Sequence, residues 1–118
     1  MLLILLGLAC TGAPAPDAAQ DPSAKLLAEL RSQPLETTAH GRCRMDCRGI
    51  DASEVQQLLI DGTWIPERTR HDGPCSSHAI EGRSDDGQNL RVVFAACPDE
   101  TRIVTAIDLD TEHACSCP

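Results

Sequence analysis

The chain has 118 residues and a formal net charge of −8 at pH 7, which leaves room for one folded domain and disfavours general binding to nucleic acids. It contains one Trp, one Phe and no Tyr, so aromatic rings supply little of the core, and a domain this small is expected to need covalent reinforcement. Seven cysteines can provide that reinforcement.

The N-terminal segment is predicted to direct export. Residues 1–9, MLLILLGLA, are apolar and uncharged, and they are too few for a bilayer-spanning helix of about 20 residues, so we predict a signal peptide. The letters GLAC, which end at Cys10, resemble the lipobox of bacterial lipoproteins and predict lipidation of that cysteine. An ordinary secretory signal cleaved near Ala13 or Ala15 is the alternative. Residues 10–22, rich in Ala and Pro, are predicted to be the lipid anchor and a flexible tether.

Residues 23–118 are predicted to form a single α+β domain that begins with three helices. Asp51 and Glu54 have the spacing of a capping box, and Gly49 and Gly62 fit the ends of the second and third helices. The first helix, with Ser23 as its N-cap, is expected to pack on the domain as an extra helix. The other two helices are expected to form a helical hairpin. The predicted helices cover residues 24–33, 40–48 and 52–61.

The apolar pattern then changes to the alternation of strands. The letters DDG at 85–87 predict a tight hairpin turn, and Pro66 predicts that the first strand lies at an edge. In the last strand, Ile103 and Ile107 are expected on one face and Ala106 on the other. The predicted fold is an N-terminal helix and a helical hairpin packed on a four-stranded antiparallel sheet, held by disulfides. The predicted strands cover residues 63–69, 77–82, 90–96 and 103–109.

The motif HxxxRMxxRGI, from His40 to Ile50, resembles the opening of a bacterial family, domain of unknown function 4258. The resemblance continues through the capped helix and the strand motifs GR, DGxxLxVVF and IVTA, and it covers roughly residues 37–109. It implies a fold similar to the RelE-like toxin domains, in which helices pack on a curved antiparallel sheet. Some relatives of that fold cleave RNA, so the resemblance implies a possible ribonuclease with His40, Arg44 and Arg48 as its catalytic residues.

These three basic residues recur every four positions and form a stripe on the second helix. In a nuclease, Arg44 and Arg48 would stabilise the charged phosphoryl transition state, and His40 would move protons. The simpler interpretation is structural. Arg48 would bind carbonyls at the end of its helix, and His40 would form a local hydrogen bond. Arg44 would pair with an acid such as Asp46 or Asp51. A second basic cluster on the first strand is predicted to be solvated surface: Arg68, Arg70 and His71.

The cysteines predict a disulfide framework. If Cys10 carries lipid, six remain, an even number that an exported domain would oxidise. Two lie one turn apart on the second helix, and two lie two residues apart in the extended tail, so both pairs present sulfurs about 6 Å apart on one face. A tetrahedral zinc site built from these four residues is the alternative. The predicted disulfide cysteines are Cys43 and Cys47, bonded to Cys115 and Cys117 in an order left open, and Cys75, bonded to Cys97.

The sequence therefore predicts an exported, lipid-anchored binding or accessory module of the bacterial cell envelope, in the periplasm or at the outer membrane. Its expected partners are the membrane, through the N-terminal lipid, and an envelope protein, with no cofactor. A RelE-like ribonuclease and a zinc-stabilised interaction domain are the two alternatives.

Overall fold

The computed structural model describes residues 21–117. The predicted signal peptide, Cys10 and most of the tether lie outside these residues. Across 21–117, every helix is too short or too polar to span a bilayer. In chain order the elements are α1 (Pro22–Arg31), β1 (Leu35–Thr37), α2 (Ala39–Arg48), α3 (Ala52–Asp61), β2 (Thr63–Asp72), β3 (Cys75–Arg83), β4 (Asn89–Ala96) and β5 (Thr101–Asp108).

The sheet has five strands in the order β1-β5-β4-β3-β2. The antiparallel part, β2 to β5, agrees with the prediction, and β2 lies at an edge as Pro66 indicated. The prediction of a wholly antiparallel, four-stranded sheet is wrong in one detail, because β1 pairs with β5 in parallel, with Leu35 opposite Thr101. Three residues are too few to show strand alternation, so this element has no signature in the sequence.

Local capping signals account for the helix boundaries. Asp51 and Glu54 form the predicted capping box, and Gly49 ends α2 in the left-handed region at φ 66°. Helix α1 begins earlier than predicted, because Asp21 rather than Ser23 is its N-cap and a proline occupies its first position. It also ends two residues before the predicted boundary, at Arg31.

One face of the sheet carries the core. Side chains that alternate along β4, Leu90, Val92 and Phe94, are fully buried, as expected for a strand with one face against helices. Helices α1 and α3 pack on each other, with α3 against β3 and α1 against β2, whereas α2 packs against β5. The two helices of the predicted hairpin therefore have different main neighbours.

A bulge in β5 overturns the predicted facing of its residues. Ile103 and Ala106 are both buried, although they are three residues apart and were expected on opposite faces. Phe94 pairs with Ile103 and Val93 with Thr105, so one residue of β5 has no counterpart on β4. The extra residue shifts the alternation by one position from there onward.

A larger bulge interrupts β2. Ile65 pairs with Ala79 and Arg70 with Ser77, so residues 66–69 leave the regular ladder. A hydrogen bond from Trp64 Nε1 to Thr69 Oγ1 at 3.2 Å spans this segment. The bulge and its proline interrupt the row of backbone groups on the outer edge of β2, which blunts this edge against pairing with another strand.

Candidate functional site

Helix α2 carries the predicted catalytic stripe, and it begins on the edge of β5 where β1 ends. The backbone N–H of Thr38 donates to the Ile103 carbonyl at 3.1 Å, and the Thr38 hydroxyl caps the helix by accepting from Gly41 N at 2.9 Å. Gly41 is buried, and a Cβ at this position would overlap the Ile103 carbonyl oxygen. The helix thus covers an edge that would otherwise expose unpaired backbone groups.

Arg48 extends this cover at the other end of α2. Its Nη1 donates to the Ala106 carbonyl at 2.5 Å, on β5 rather than at the end of its own helix. Burial lowers the pKa of the Arg48 guanidinium, and the nearby charge of Arg44 lowers it further, although Asp108 opposes both effects. The guanidinium is therefore engaged in a structural contact.

Arg44 contacts a histidine and not the acidic residue that the structural interpretation predicted. Its Nε donates to His40 Nε2 at 3.4 Å, which brings two residues of the stripe together on one face of the helix. Within residues 21–117 the ion pairs do not include Arg44 with Asp46 or Asp51, so the predicted acidic partner is wrong. The stripe is split into a surface pair and an edge-binding arginine.

The prediction of disulfide bonds is confirmed, and the structure supplies the order that the sequence left open. The tail runs antiparallel to α2, with the paired Cα atoms 5.7 and 5.8 Å apart. The zinc alternative at these four cysteines is wrong, because each sulfur is bonded to another sulfur and no thiolate remains to bind a metal. Among the described residues, no group of three or more His, Cys, Asp or Glu side chains could hold a metal ion. The bonds are Cys43–Cys117, Cys47–Cys115 and Cys75–Cys97.

A polar cluster that sequence reasoning missed joins the tail to the sheet. Asp108, at the end of β5, accepts from the backbone N–H groups of Asp110 and Thr111 and lies 3.2 Å from His113 Nε2. Gln88 donates to the same carboxylate at 3.1 Å. The contact with His113 is the largest cause that lowers the pKa of Asp108, and the hydrogen bonds from Gln88 and the backbone add to it.

His78 also gains partners that its sequence context did not reveal. It lies on the core face of β3, buried, with Nε2 2.8 Å from the Ser76 hydroxyl and its ring edge-on to Trp64 at 6.1 Å. Burial lowers the pKa of His78, and the charge of His71 lowers it further, so the neutral ring is favoured. We interpret this histidine as part of the core.

The sheet face opposite the core forms an open groove of about 680 Å³. Its floor is aliphatic, with Ala79 and Val93 paired across β3 and β4, and the bulged segment of β2 lines one side. Arg91 lines the groove and forms an ion pair with Glu81 at 2.8 Å. The residues that line it are Glu67, Arg68, Thr69, Arg70, Ser77, Ala79, Arg91, Val93, Val104 and Ile107.

The groove brings together residues that the sequence did not connect. Arg68 and Arg70 are exposed, as predicted, but they line a concavity instead of a flat solvated surface. In the sequence, only the i, i+2 spacing of Arg68 and Arg70 near Pro66 pointed to a shared basic surface. This spacing could not indicate the aliphatic floor of the groove, which comes from three other strands.

The comparisons with known proteins identify one family. A family model described as Domain of unknown function (DUF4258) matches residues 37–108, which run from the end of β1 to the end of β5. Neither the curated proteins nor the solved structures contain a match.

Proposed function

The chain belongs to the DUF4258 family, and from that premise we propose that it is an exported, lipid-anchored binding module of the bacterial cell envelope. The observation that carries this proposal is the set of three disulfide bonds. Disulfides form and persist in oxidising compartments and are rare in the reducing cytosol, so they indicate an exported location.

The seventh cysteine supports the lipid anchor. All six cysteines within residues 21–117 are bonded in pairs, which leaves Cys10 without a disulfide partner in the same chain. An exported protein rarely keeps an unpaired reactive thiol, and lipidation would account for this one. A single lipid chain binds membranes only marginally, whereas the several acyl chains of a bacterial lipoprotein give a stable anchor.

Three features favour a binding role over ribonuclease activity. Arg48 Nη1 is hydrogen-bonded to the β5 backbone, the Arg44 Nε is directed at His40, and two disulfides tie α2 to the tail. In a nuclease both guanidinium groups would have to reach a phosphate in the transition state, whereas these contacts hold part of each group against the protein. We propose a RelE-like fold because α1 and α3 pack on one face of a sheet whose strands β2 to β5 are antiparallel, but a fold does not by itself specify an activity.

The anchor is tested by changing Cys10→Ser and fractionating cells that express the full chain. We expect the wild type in the membrane fraction and the variant in the soluble envelope fraction, with processing of the wild type blocked by globomycin. A matched control replaces Ala13 and Ala15 with Leu, which would block ordinary secretory cleavage but leave the lipobox unchanged. A wild type already found in the soluble fraction, unaffected by Cys10→Ser and retained at the membrane only in the control, would contradict the lipid anchor.

The ribonuclease alternative and the oxidised state of the domain are tested on the same purified protein. Non-reducing mass spectrometry of the envelope form is expected to find no free thiol among the six cysteines of the domain. Incubation with RNA is expected to leave the RNA intact both for the wild type and for an Arg44→Ala, Arg48→Ala variant. RNA cleavage by the wild type that the variant loses would replace the binding module with a ribonuclease.

A further inference from the structure

We propose that the groove on the open face of the sheet binds an extended, acidic peptide segment of a partner protein, with carboxylates at the arginines and aliphatic side chains on the floor. This inference rests on the proposed binding function and adds to it the place and the chemistry of recognition. Charge, floor composition and size each support it.

The charge of the groove is opposite to that of the chain. Arg68 and Arg70 are exposed on the segment that lines one side, and Arg91 lies across the sheet, paired with Glu81. Of the lining residues, Glu67 is the only acid, although the chain as a whole carries a net charge of −8. An anionic ligand is therefore attracted to this groove and repelled by most of the remaining surface.

The floor distinguishes a peptide from other polyanions. Val93, Val104 and Ile107 are partly exposed in the groove and can cover aliphatic side chains of a ligand. Single-stranded nucleic acids are bound largely by stacking of bases on aromatic rings. Both rings of this chain are on the other side of the sheet, since Trp64 packs against the core and Phe94 belongs to it. The groove therefore lacks the platforms for bases.

The size of the groove fits a short extended segment. Crossing from β2 to β5 spans three strand spacings, about 14 Å, which an extended peptide covers with about four or five residues. The outer edge of β2 is interrupted by the bulge at residues 66–69, so the face of the sheet, and not this edge, is where a peptide can dock.

The test measures binding of labelled hexapeptides to the purified oxidised chain by fluorescence anisotropy. The probes alternate Asp or Glu with Val, Ile or Leu, and they are compared with Lys-for-acid versions and with oligouridylate of equal length. The groove variant is Arg68→Glu, Arg70→Glu. The control variant, Lys25→Glu, Arg42→Glu, makes the same change of charge at exposed positions of α1 and α2 outside the groove.

We expect the acidic probes to bind, the basic probes not to bind, and the groove variant to weaken binding at least about tenfold, whereas the control variant changes it less than about threefold. Absence of binding by every acidic probe would overturn the inference. So would tighter binding of oligouridylate through the same arginines, or self-association of the chain that only the groove variant abolishes in sedimentation. None of these outcomes affects the fractionation test of the anchor, so the two proposals fail separately.

Discussion

Asp108 shows how one buried carboxylate joins three parts of the chain. Its side chain is 5% exposed and accepts hydrogen bonds from the tail backbone and from Gln88, while His113 supplies a further contact. Gln88 in turn donates to the Arg48 carbonyl at 3.0 Å, so the carboxylate is linked to the end of α2. A buried acceptor with this many donors is stabilised in its charged form.

The lowered pKa of Asp108 predicts a contribution to acid stability. Its folded pKa lies below the ordinary value of 3.8, so the carboxylate stabilises the fold above that value and loses this contribution as the pH falls through the folded pKa. Asp108→Asn should therefore lower the free energy of unfolding at pH 7, and the difference from the wild type should shrink as the pH falls below 3.8 and through the folded pKa. Urea denaturation across this pH range measures it.

Asp99→Asn is the matched control, because Asp99 is exposed in the turn between β4 and β5. As a surface substitution it should change the free energy of unfolding at pH 7 by no more than about 0.5 kcal/mol. If Asp108→Asn kept the pH dependence of the wild type unchanged, the Asp108 carboxylate would contribute nothing to acid stability.

At the scale of elements, α2 does for β5 what a neighbouring strand would do. The backbone N–H of its N-cap, Thr38, donates to the Ile103 carbonyl, and Gly41 allows the close approach that this requires. At the last turn, the Arg48 side chain donates to the Ala106 carbonyl. Within the motif from His40 to Ile50, Arg48 makes one of these contacts, whereas His40 and Arg44 are hydrogen-bonded to each other. Met45 and Ile50 are buried, and the glycine before Ile50 makes the left-handed turn.

The close approach makes Gly41 sensitive to a single methyl group. Gly41→Ala should lower the free energy of unfolding by about 1–3 kcal/mol, because the overlap with the Ile103 carbonyl outweighs the better helix propensity of alanine, which is worth about 1 kcal/mol. Arg42→Ala, at an exposed position of the same helix, should stay within about 0.5 kcal/mol of the wild type. Urea denaturation under non-reducing conditions gives both values. A Gly41→Ala protein as stable as the wild type would mean that α2 can move away from β5 at no cost.

For the whole molecule, the two disulfides between α2 and the tail close the chain on itself. They join residues 74 and 68 positions apart, whereas Cys75 and Cys97 are separated by 22. On the chain-entropy model the long loop contributes about 4 kcal/mol and the short one about 3 kcal/mol, sums that rival the net stability of a typical domain. Covalent closure thus compensates for the small aromatic content of a chain with one Trp and one Phe.

Removing the first of the two tail disulfides should lower the free energy of unfolding less than removing the second. Replacing Cys47 and Cys115 with Ser should lower the free energy of unfolding by only about 2 kcal/mol, because Cys43–Cys117 still closes the long loop. Replacing all four cysteines should cost about 6 kcal/mol, since the long loop then opens. Denaturation of the three oxidised proteins tests this, and equal losses for the first and second bond would contradict the loop-closure argument.

Features encoded within a few residues were predictable from the sequence alone. The capping box at Asp51 and the end of α2 at Gly49 depend on backbone groups three or four positions away, and the hairpin turn at 85–87 is equally local. That the two helix cysteines bond to the two tail cysteines was also predictable, because spacing on a helix and on an extended tail indicates which sulfurs share a face, but the order of the bonds came only from the structure.

The tertiary structure alone decided the parallel strand β1, the bulges of β2 and β5, and the partners of Arg48. It also decided the groove, whose arginines and aliphatic floor come from four different strands. These features depend on contacts such as that between Thr38 and Ile103, which are 65 positions apart, and no local pattern records which distant backbone group a residue will meet. Hydrogen bonds between residues close in sequence can be predicted from the residue types at neighbouring positions. The covered edge of β5 and the groove, in contrast, form only once the strands are paired in their native register.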